Sequence, residues 1–338
     1  MSFQKFADSL PPSLSLKDRS VLLTGSSSGI GRQCALHLAR HGARVLCCDL
    51  TPTPAQERVA PAPSDKPHSD AQPGGSIDAY TVPTHALINQ AGGRAQFFKM
   101  NVTKEEDWKE AVKLATELGD GRLDLLINNA GIVRFSGGLL NETMEDFDAT
   151  FAVNVRGLFI GTREALAQMV KQPPRIMPAD HDLDLDEVSL AELTGDGPRP
   201  RPAFDQQDAT PATSGRLEGD RGGRGSRGGI INIGSLHGII GGPGEAAYGA
   251  AKGAVVNFTR QVAGDYASQR ININCICPGY VESAMTLNVP PALSAKRPTP
   301  WPHRGTGRDV AKTVVYLARD APWLTGSILM VDGGTSAR

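Results

Sequence analysis

The sequence predicts an α/β protein, a single doubly wound domain with a parallel sheet flanked by helices and two low-complexity insertions. Three observations predict it. Short apolar runs recur seven times along the 338 residues, amphipathic helical patterns separate most of them, and a glycine-rich turn joins the first run to the first helix.

The strand candidates are SVLLTG (20 to 25), ARVLCCD (43 to 49), RAQFFKMNV (94 to 102), RLDLLINNAG (122 to 131), GIINIGS (229 to 235), RININCICPG (270 to 279) and GSILMVDGG (326 to 334). In the first helix, GIGRQCALHLARHG, the residues Ile30, Cys34, Leu38 and His41 share one side, and Gly42 supplies the stop.

Two stretches break this rhythm. Residues 51 to 82, rich in proline, and 172 to 229, ending rich in glycine and arginine, hold 13 of the 24 prolines and no sustained periodicity. Both read as insertions unable to bury enough surface to fold alone, the second as disordered. The remaining 248 residues suit one domain. The first insertion follows a strand and so leaves the sheet edge where ligands bind; the second joins a helix to a strand and belongs at the opposite edge. Within the second, GDRGGRGSRGG (219 to 229) has the composition of an RNA-binding tract, but its three arginines neighbour the acidic run DHDLDLDE (180 to 187), which favours a solvated linker.

Bulk composition excludes several classes. With 35 Lys and Arg against 36 Asp and Glu, the chain has no global attraction to nucleic acid or anionic membrane. Cys34, Cys47, Cys48, Cys275 and Cys277 are odd in number and lack C-x-x-C spacing, so they read as buried hydrophobes, with neither a disulfide framework nor a metal site. No signal-peptide core and no run of 18 apolar residues occurs, which points to the cytoplasm.

The turn TGSSSGIG (24 to 31) directly follows the first strand. Gly25 permits the tight bend, Gly29 lets the backbone approach a pyrophosphate, and Gly31 allows helix and strand to pack closely, while the helix N-terminus offers free N–H groups. Ser27, Ser28 and Ile30 share this turn. Asp49 ends the next strand, 24 residues after Gly25. Its carboxylate can accept from the adenosine ribose and would repel the extra phosphate of NADP, and neither Leu50 nor Ser28 supplies a countering cation. NAD is therefore expected over NADP, with a solvated strand end as the alternative reading of Asp49.

The stretch EAAYGAAKGAVVNF (245 to 258) sets Tyr248 and Lys252 on one helical face. Alone, such a pair more often means a helix-edge tyrosine and a snorkelling lysine. Company changes that reading. With T-G-x-x-x-G-x-G, NNAG (128 to 131), Ser235, Y-x-x-x-K and PG (278 to 279) in this order, the chain resembles the short-chain dehydrogenase/reductase family over about residues 15 to 50 and 84 to 335, the second insertion apart.

The resemblance implies a seven-stranded parallel sheet in a Rossmann arrangement and a catalytic tetrad of Asn154, Ser235, Tyr248 and Lys252. Tyr248 would be the base, its phenol made more acidic by the Lys252 ammonium. Lys252 would also hold the nicotinamide ribose, Ser235 would bond the substrate oxygen, and Asn154 would anchor a proton-relaying water. Asn129, Ala130 and Gly131 would line the adenosine side, and Pro278, Gly279, Val281 and Ser283 the nicotinamide. Asn101, beside Val102, stands where the family has aspartate, keeping an acceptor for adenine; Ser283 replaces a common threonine. The implied cofactor is NAD, with NADP as the alternative, and the implied partners are a small-molecule alcohol or ketone and a second or further copies in a homodimer or homotetramer. A carbonyl reductase using NADPH and a non-catalytic dinucleotide-binding regulator are the competing functions. Candidates for the substrate pocket are Arg134, Leu236, His237, Tyr280 and segment 284 to 305, with His237 either touching a polar substrate or facing water.

Overall fold

A computed structural model of the chain describes residues 1–11, 14–53, 81–176, 225–283 and 299–337. Seven strands form one parallel sheet: β1 (Ser20–Thr24), β2 (Arg44–Asp49), β3 (Arg94–Lys99), β4 (Leu125–Asn128), β5 (Gly228–Ile233), β6 (Ile271–Pro278) and β7 (Ile328–Val331). Their spatial order, β3-β2-β1-β4-β5-β6-β7, places a topological switch between β1 and β4. Open α/β sheets bind ligands in the crevice at such a point.

The strands are apolar throughout because both faces are covered. Successive residues point to opposite sides: Val21 and Leu23 join Val45, Ile127, Ile231 and Ile276 on one face, whereas Leu22 joins Leu46, Leu126, Ile230 and Ile273 on the other. The first face packs on the helix Gly29–Arg40 and the late helix Gly307–Arg319, through Cys34, Leu38, Val310 and Val314. The second is covered by the helices Glu105–Leu118 and Leu158–Met169, which approach so closely that a Cβ on Gly161 would lie 2.2 Å from the Trp108 ring. All five cysteines are buried and outside any disulfide. Among the described residues no helix is long and apolar enough to cross a membrane.

Every expected strand forms, but several are shorter than their apolar runs. RLDLLINNAG contributes only Leu125–Asn128, because the chain turns at Asn129, whose Nδ2 donates to the carbonyls of Thr24 and Gly25 at 2.9 and 3.0 Å.

The second irregular stretch is narrower than its expected bounds of 172 to 229. Gln172 is buried and bonds both main-chain groups of Leu123, Arg175 and Ser226 form an antiparallel bridge, and Gly228 already begins β5. This stem lies at the end of the sheet away from the glycine turn. There Arg19, Arg122 and Arg175 surround Asp124 at 3.3 to 3.5 Å, and burial lowers the Arg19 pKa to about 10. Arg227, one of the three arginines of the supposed RNA tract, donates to the carbonyls of Val170 and Gln172 and so ties down a helix end. Residues 219–224 of that tract, the acidic run and residues 54–80 of the first insertion lie outside the described residues.

Candidate active site

A cavity of about 360 Å³ opens at the β1/β4 switch, lined from Gly25 and Asp49 at one end to Ser235, Tyr248 and Tyr280 at the other. Of the residues singled out from the sequence, all but Ser27, Asn154, Arg134 and the segment 284 to 305 line it, together with unforeseen Cys48, Met100, Ile132, Val133, Phe135, Val153, Ile233, Gly234 and Glu245; of that segment, residues 284–298 lie outside the described residues and 299–305 do not reach the cavity. Arg134 pairs instead with Asp146 at 3.7 Å and stays largely in solvent, and Phe135 takes its place on the wall.

The phosphate end is built by the absence of side chains. Gly25 has φ +68° and Gly29 φ +52°, both in the left-handed region where glycine carries no Cβ penalty. A Cβ on Gly25 would sit 2.7 Å from Asn129 Nδ2, and one on Gly31 only 2.0 Å from the Gly25 carbonyl oxygen. The turn folds onto its own helix, whose first residues, Gly29, Ile30 and Gly31, line the cavity. Ser28, the residue before that helix, makes no side-chain cap bond, so nothing from its own side chain competes for the helix's first N–H groups.

At the far side of this turn, Asp49 is fixed by two main-chain donors, Ser27 N–H to Oδ2 at 3.0 Å and Leu50 N–H to Oδ1 at 2.8 Å. Ser27 thus shapes the site from behind the wall. Asn101 departs from expectation: its Oδ1 already accepts from both N and Oγ1 of Thr103, at 3.0 and 2.9 Å. Both lone pairs are taken, so this oxygen offers adenine no acceptor without a side-chain rotation.

Ser235 and the helix Ala246–Tyr266 bring the reactive groups together. Ser235 Oγ accepts from the N–H of His237 at 3.1 Å, which orients its own O–H elsewhere. Lys252 is buried, donates to the Ile233 carbonyl at 2.7 Å and lies 5.7 Å from the centre of the Tyr248 ring. Burial lowers its pKa to about 8. Asn154 sits in a π-helical turn, Ala152–Gly157, and holds the Ile132 main chain at both ends, Oδ1 accepting from N at 2.8 Å and Nδ2 donating to O at 2.9 Å. A Cβ on Gly131 would meet Asn154 Oδ1 at 3.1 Å and Lys252 Nζ at 3.7 Å, so these two polar groups border one gap.

His237 does not face water. It is 8% exposed, its Nδ1 lies 2.8 Å from Glu245 Oε2, and its Nε2 lies 3.4 Å from the Tyr280 hydroxyl. Its imidazole meets the rings of Tyr248 and Tyr280 edge-on, at 6.3 and 6.0 Å. Sequence reasoning passed over Glu245, although it stands three residues before Tyr248 in a run of small apolar residues; its isolation there was the available signal.

The glycine cradle, the helix N-terminus and the carboxylate at the end of β2 fit a dinucleotide: the crowding around Gly25 and Gly31 leaves room for backbone alone, where a pyrophosphate needs close approach. A doubly wound sheet with a glycine turn and a cavity at its switch point is an arrangement that dinucleotide-binding proteins share. Residues 19–72 and 78–175 match the family described as short chain dehydrogenase, and residues 221–336 match the one described as Enoyl-(Acyl carrier protein) reductase. The short-chain dehydrogenase srdC of Neurospora crassa is 31% identical, across 93% of this chain and 97% of its own. A 2-(S)-hydroxypropyl-CoM dehydrogenase of Xanthobacter autotrophicus is 29% identical, across 95% and 98%. A crystal structure of a putative 2-deoxy-D-gluconate 3-dehydrogenase from Agrobacterium tumefaciens, with NADP bound, superposes with a TM-score of 0.66 at 25% identity, across 96% and 99% of the two chains. The chain belongs to the short-chain dehydrogenase/reductase family, and it is an oxidoreductase acting on CH–OH groups with NAD or NADP.

Proposed function

We propose that the protein interconverts a secondary alcohol and its ketone, with NAD preferred over NADP, through Ser235, Tyr248, Lys252 and Asn154. The observation that carries this reading is the convergence of Ser235, Tyr248 and Lys252 on one cavity that also receives the glycine turn and Asp49.

When bound, the nicotinamide supplies a two-electron acceptor or donor of hydride. The chain's own residues handle the proton and the oxygen. Ser235, its oxygen already accepting from His237 N–H, has its O–H available to donate to the substrate oxygen. Tyr248, as phenolate, takes the alcohol proton from that same oxygen, and as phenol returns it in the reductive direction. Lys252, still mostly an ammonium at neutral pH, favours the phenolate by charge from within the protein. Asn154 fixes the Ile132 segment, and Oδ1 keeps one lone pair for a water beside Lys252. Phe135, Val133, Val153 and Leu236 supply apolar walls that exclude bulk water from the reacting end.

Asp49, pinned by two main-chain N–H groups, supports the preference for NAD, since a phosphate on the ribose would approach a fixed negative charge. The NADP in the Agrobacterium structure supports the competing preference. A turnover screen of secondary alcohols and ketones with both cofactors, followed by nicotinamide absorbance, decides between them. A higher specificity constant with NADP would overturn the NAD preference, and cofactor binding without any turnover would favour a regulator. Self-association is part of this reading: Phe159, half exposed, lies 5.7 Å from Phe258 across the two helices the family pairs between subunits. Five buried thiols also suit a reducing cytoplasm.

A further inference from the structure

We propose that His237, held by Glu245, forms with Tyr280 a second recognition point that reads a hydroxyl group within two carbons of the reacting one, so that the preferred substrates are diols and hydroxyketones. This rests on the alcohol–ketone reading and narrows it to a substrate class.

Glu245 is the starting point. It occupies the residue before the helix Ala246–Tyr266, where an acidic side chain ordinarily caps the free N–H groups, yet it makes no cap bond. That duty falls to Glu142, whose carboxylate accepts from Ala247 N at 3.1 and 3.2 Å. The Glu245 carboxylate instead turns to His237, and both side chains are almost fully buried, at 3% and 5% exposure. A buried carboxylate needs a donor. It therefore holds the imidazole through Nδ1–H, the tautomer in which Nε2 is the acceptor.

The Tyr280 hydroxyl is the neighbour of Nε2, at 3.4 Å. That is beyond the usual span for an O–H donor, so the contact is weak. Both groups line the cavity beside Ser235 and Tyr248. A donor and an acceptor set side by side complement a group that is both, and a hydroxyl donates to Nε2 while accepting from Tyr280. A ketone oxygen could use only Tyr280. A carboxylate would bring a second acceptor-only group beside the buried Glu245 carboxylate. Gly242 seals the arrangement, because any Cβ there would lie 2.4 to 2.8 Å from the His237 ring. A substrate without the hydroxyl forgoes both bonds at once, which turns two modest bonds into discrimination.

The test compares purified wild type, His237→Leu, Tyr280→Phe, Glu245→Gln and Glu245→Leu on butan-2-ol, butane-2,3-diol and butane-1,3-diol, with melting temperatures alongside. Wild type should favour at least one diol over butan-2-ol by tenfold or more in kcat/KM. His237→Leu and Tyr280→Phe should each shrink that ratio at least fivefold, mainly through KM for the diol. Glu245 acts through His237: Glu245→Gln, which keeps an acceptor for Nδ1–H, should retain most of the ratio, and Glu245→Leu should lose it. Should a variant fail to fold, the wild-type ratio and Tyr280→Phe still decide. Equal kcat/KM for diols and butan-2-ol in wild type, or a ratio unmoved in Tyr280→Phe, overturns the assignment while leaving the alcohol–ketone reading intact. Turnover of none of the three alcohols removes that reading and this one with it.

Discussion

The main-chain N–H of His237 donates to Ser235 Oγ at 3.1 Å. A backbone group, insensitive to mutation of the imidazole, thereby sets the direction in which the serine can donate. Ser235→Ala is expected to lower kcat by about 100- to 1,000-fold, the usual loss on removing a donor to a developing oxyanion. Cofactor affinity, measured by fluorescence titration, should change less than threefold.

Tyr248→Phe keeps the ring against His237 and removes only the hydroxyl. Turnover is expected to fall by at least about 1,000-fold, near the upper range for a general base, with cofactor binding retained. A rate near that of the wild type would end the assignment of Tyr248 as base.

Lys252 is a buried ammonium held at a cost to stability. Burial lowers its pKa from 10.5 to about 8, so the unfolded chain binds this proton more tightly than the folded one. The penalty is complete below pH 8 and is relieved as pH rises from about 8 toward 10.5, a window in which stability increases with pH. At pH 7 it is on the order of 3 kcal/mol. Lys252→Met removes the charge but also the bond to Ile233 O, which from a charged donor is worth about 1.5–3 kcal/mol. The variant should therefore be as stable to urea at pH 7 as the wild type or more stable, by up to about 2 kcal/mol, and inactive; a loss of stability would contradict the desolvation account.

Asp49→Asn removes the charge facing the ribose while keeping an oxygen for Ser27 or Leu50 N–H. At about 4 Å a unit charge interaction is roughly 1 to 4 kcal/mol depending on exposure, so the NAD-to-NADP ratio of kcat/KM should fall at least about tenfold. An unchanged ratio would place cofactor choice elsewhere.

Gly31→Ala forces a methyl to within 2.0 Å of the Gly25 carbonyl, a backbone atom that cannot rotate away. The turn must open, and a loss of about 2 kcal/mol or more is expected with cofactor binding abolished. Differential scanning calorimetry and the same fluorescence titration read both.

The sheet and the phosphate end were legible because their signals are local. Gly25, Gly29 and Gly31 stand within seven residues of one another, and alternating apolar runs announce strands whatever the rest of the chain does. The serine, tyrosine and lysine proposed as catalytic became legible only through their order along the chain, which is what the family resemblance reads. Asn154 shows the limit: its position was clear, but its bidentate grip on Ile132, 22 residues away, was not.

What the sequence by itself determined is the doubly wound sheet and the glycine turn, since each depends on residue type and short spacing, and, through the family resemblance, the class of reaction. What only the tertiary structure decided is the substrate end. His237, Glu245 and Tyr280 come from three segments, and their pairing depends on where Glu142 caps a helix, on the absence of a Cβ at Gly242, and on burial deep enough that a carboxylate must find the imidazole. Such contacts arise from long-range packing and desolvation, for which a linear pattern carries no period and no spacing.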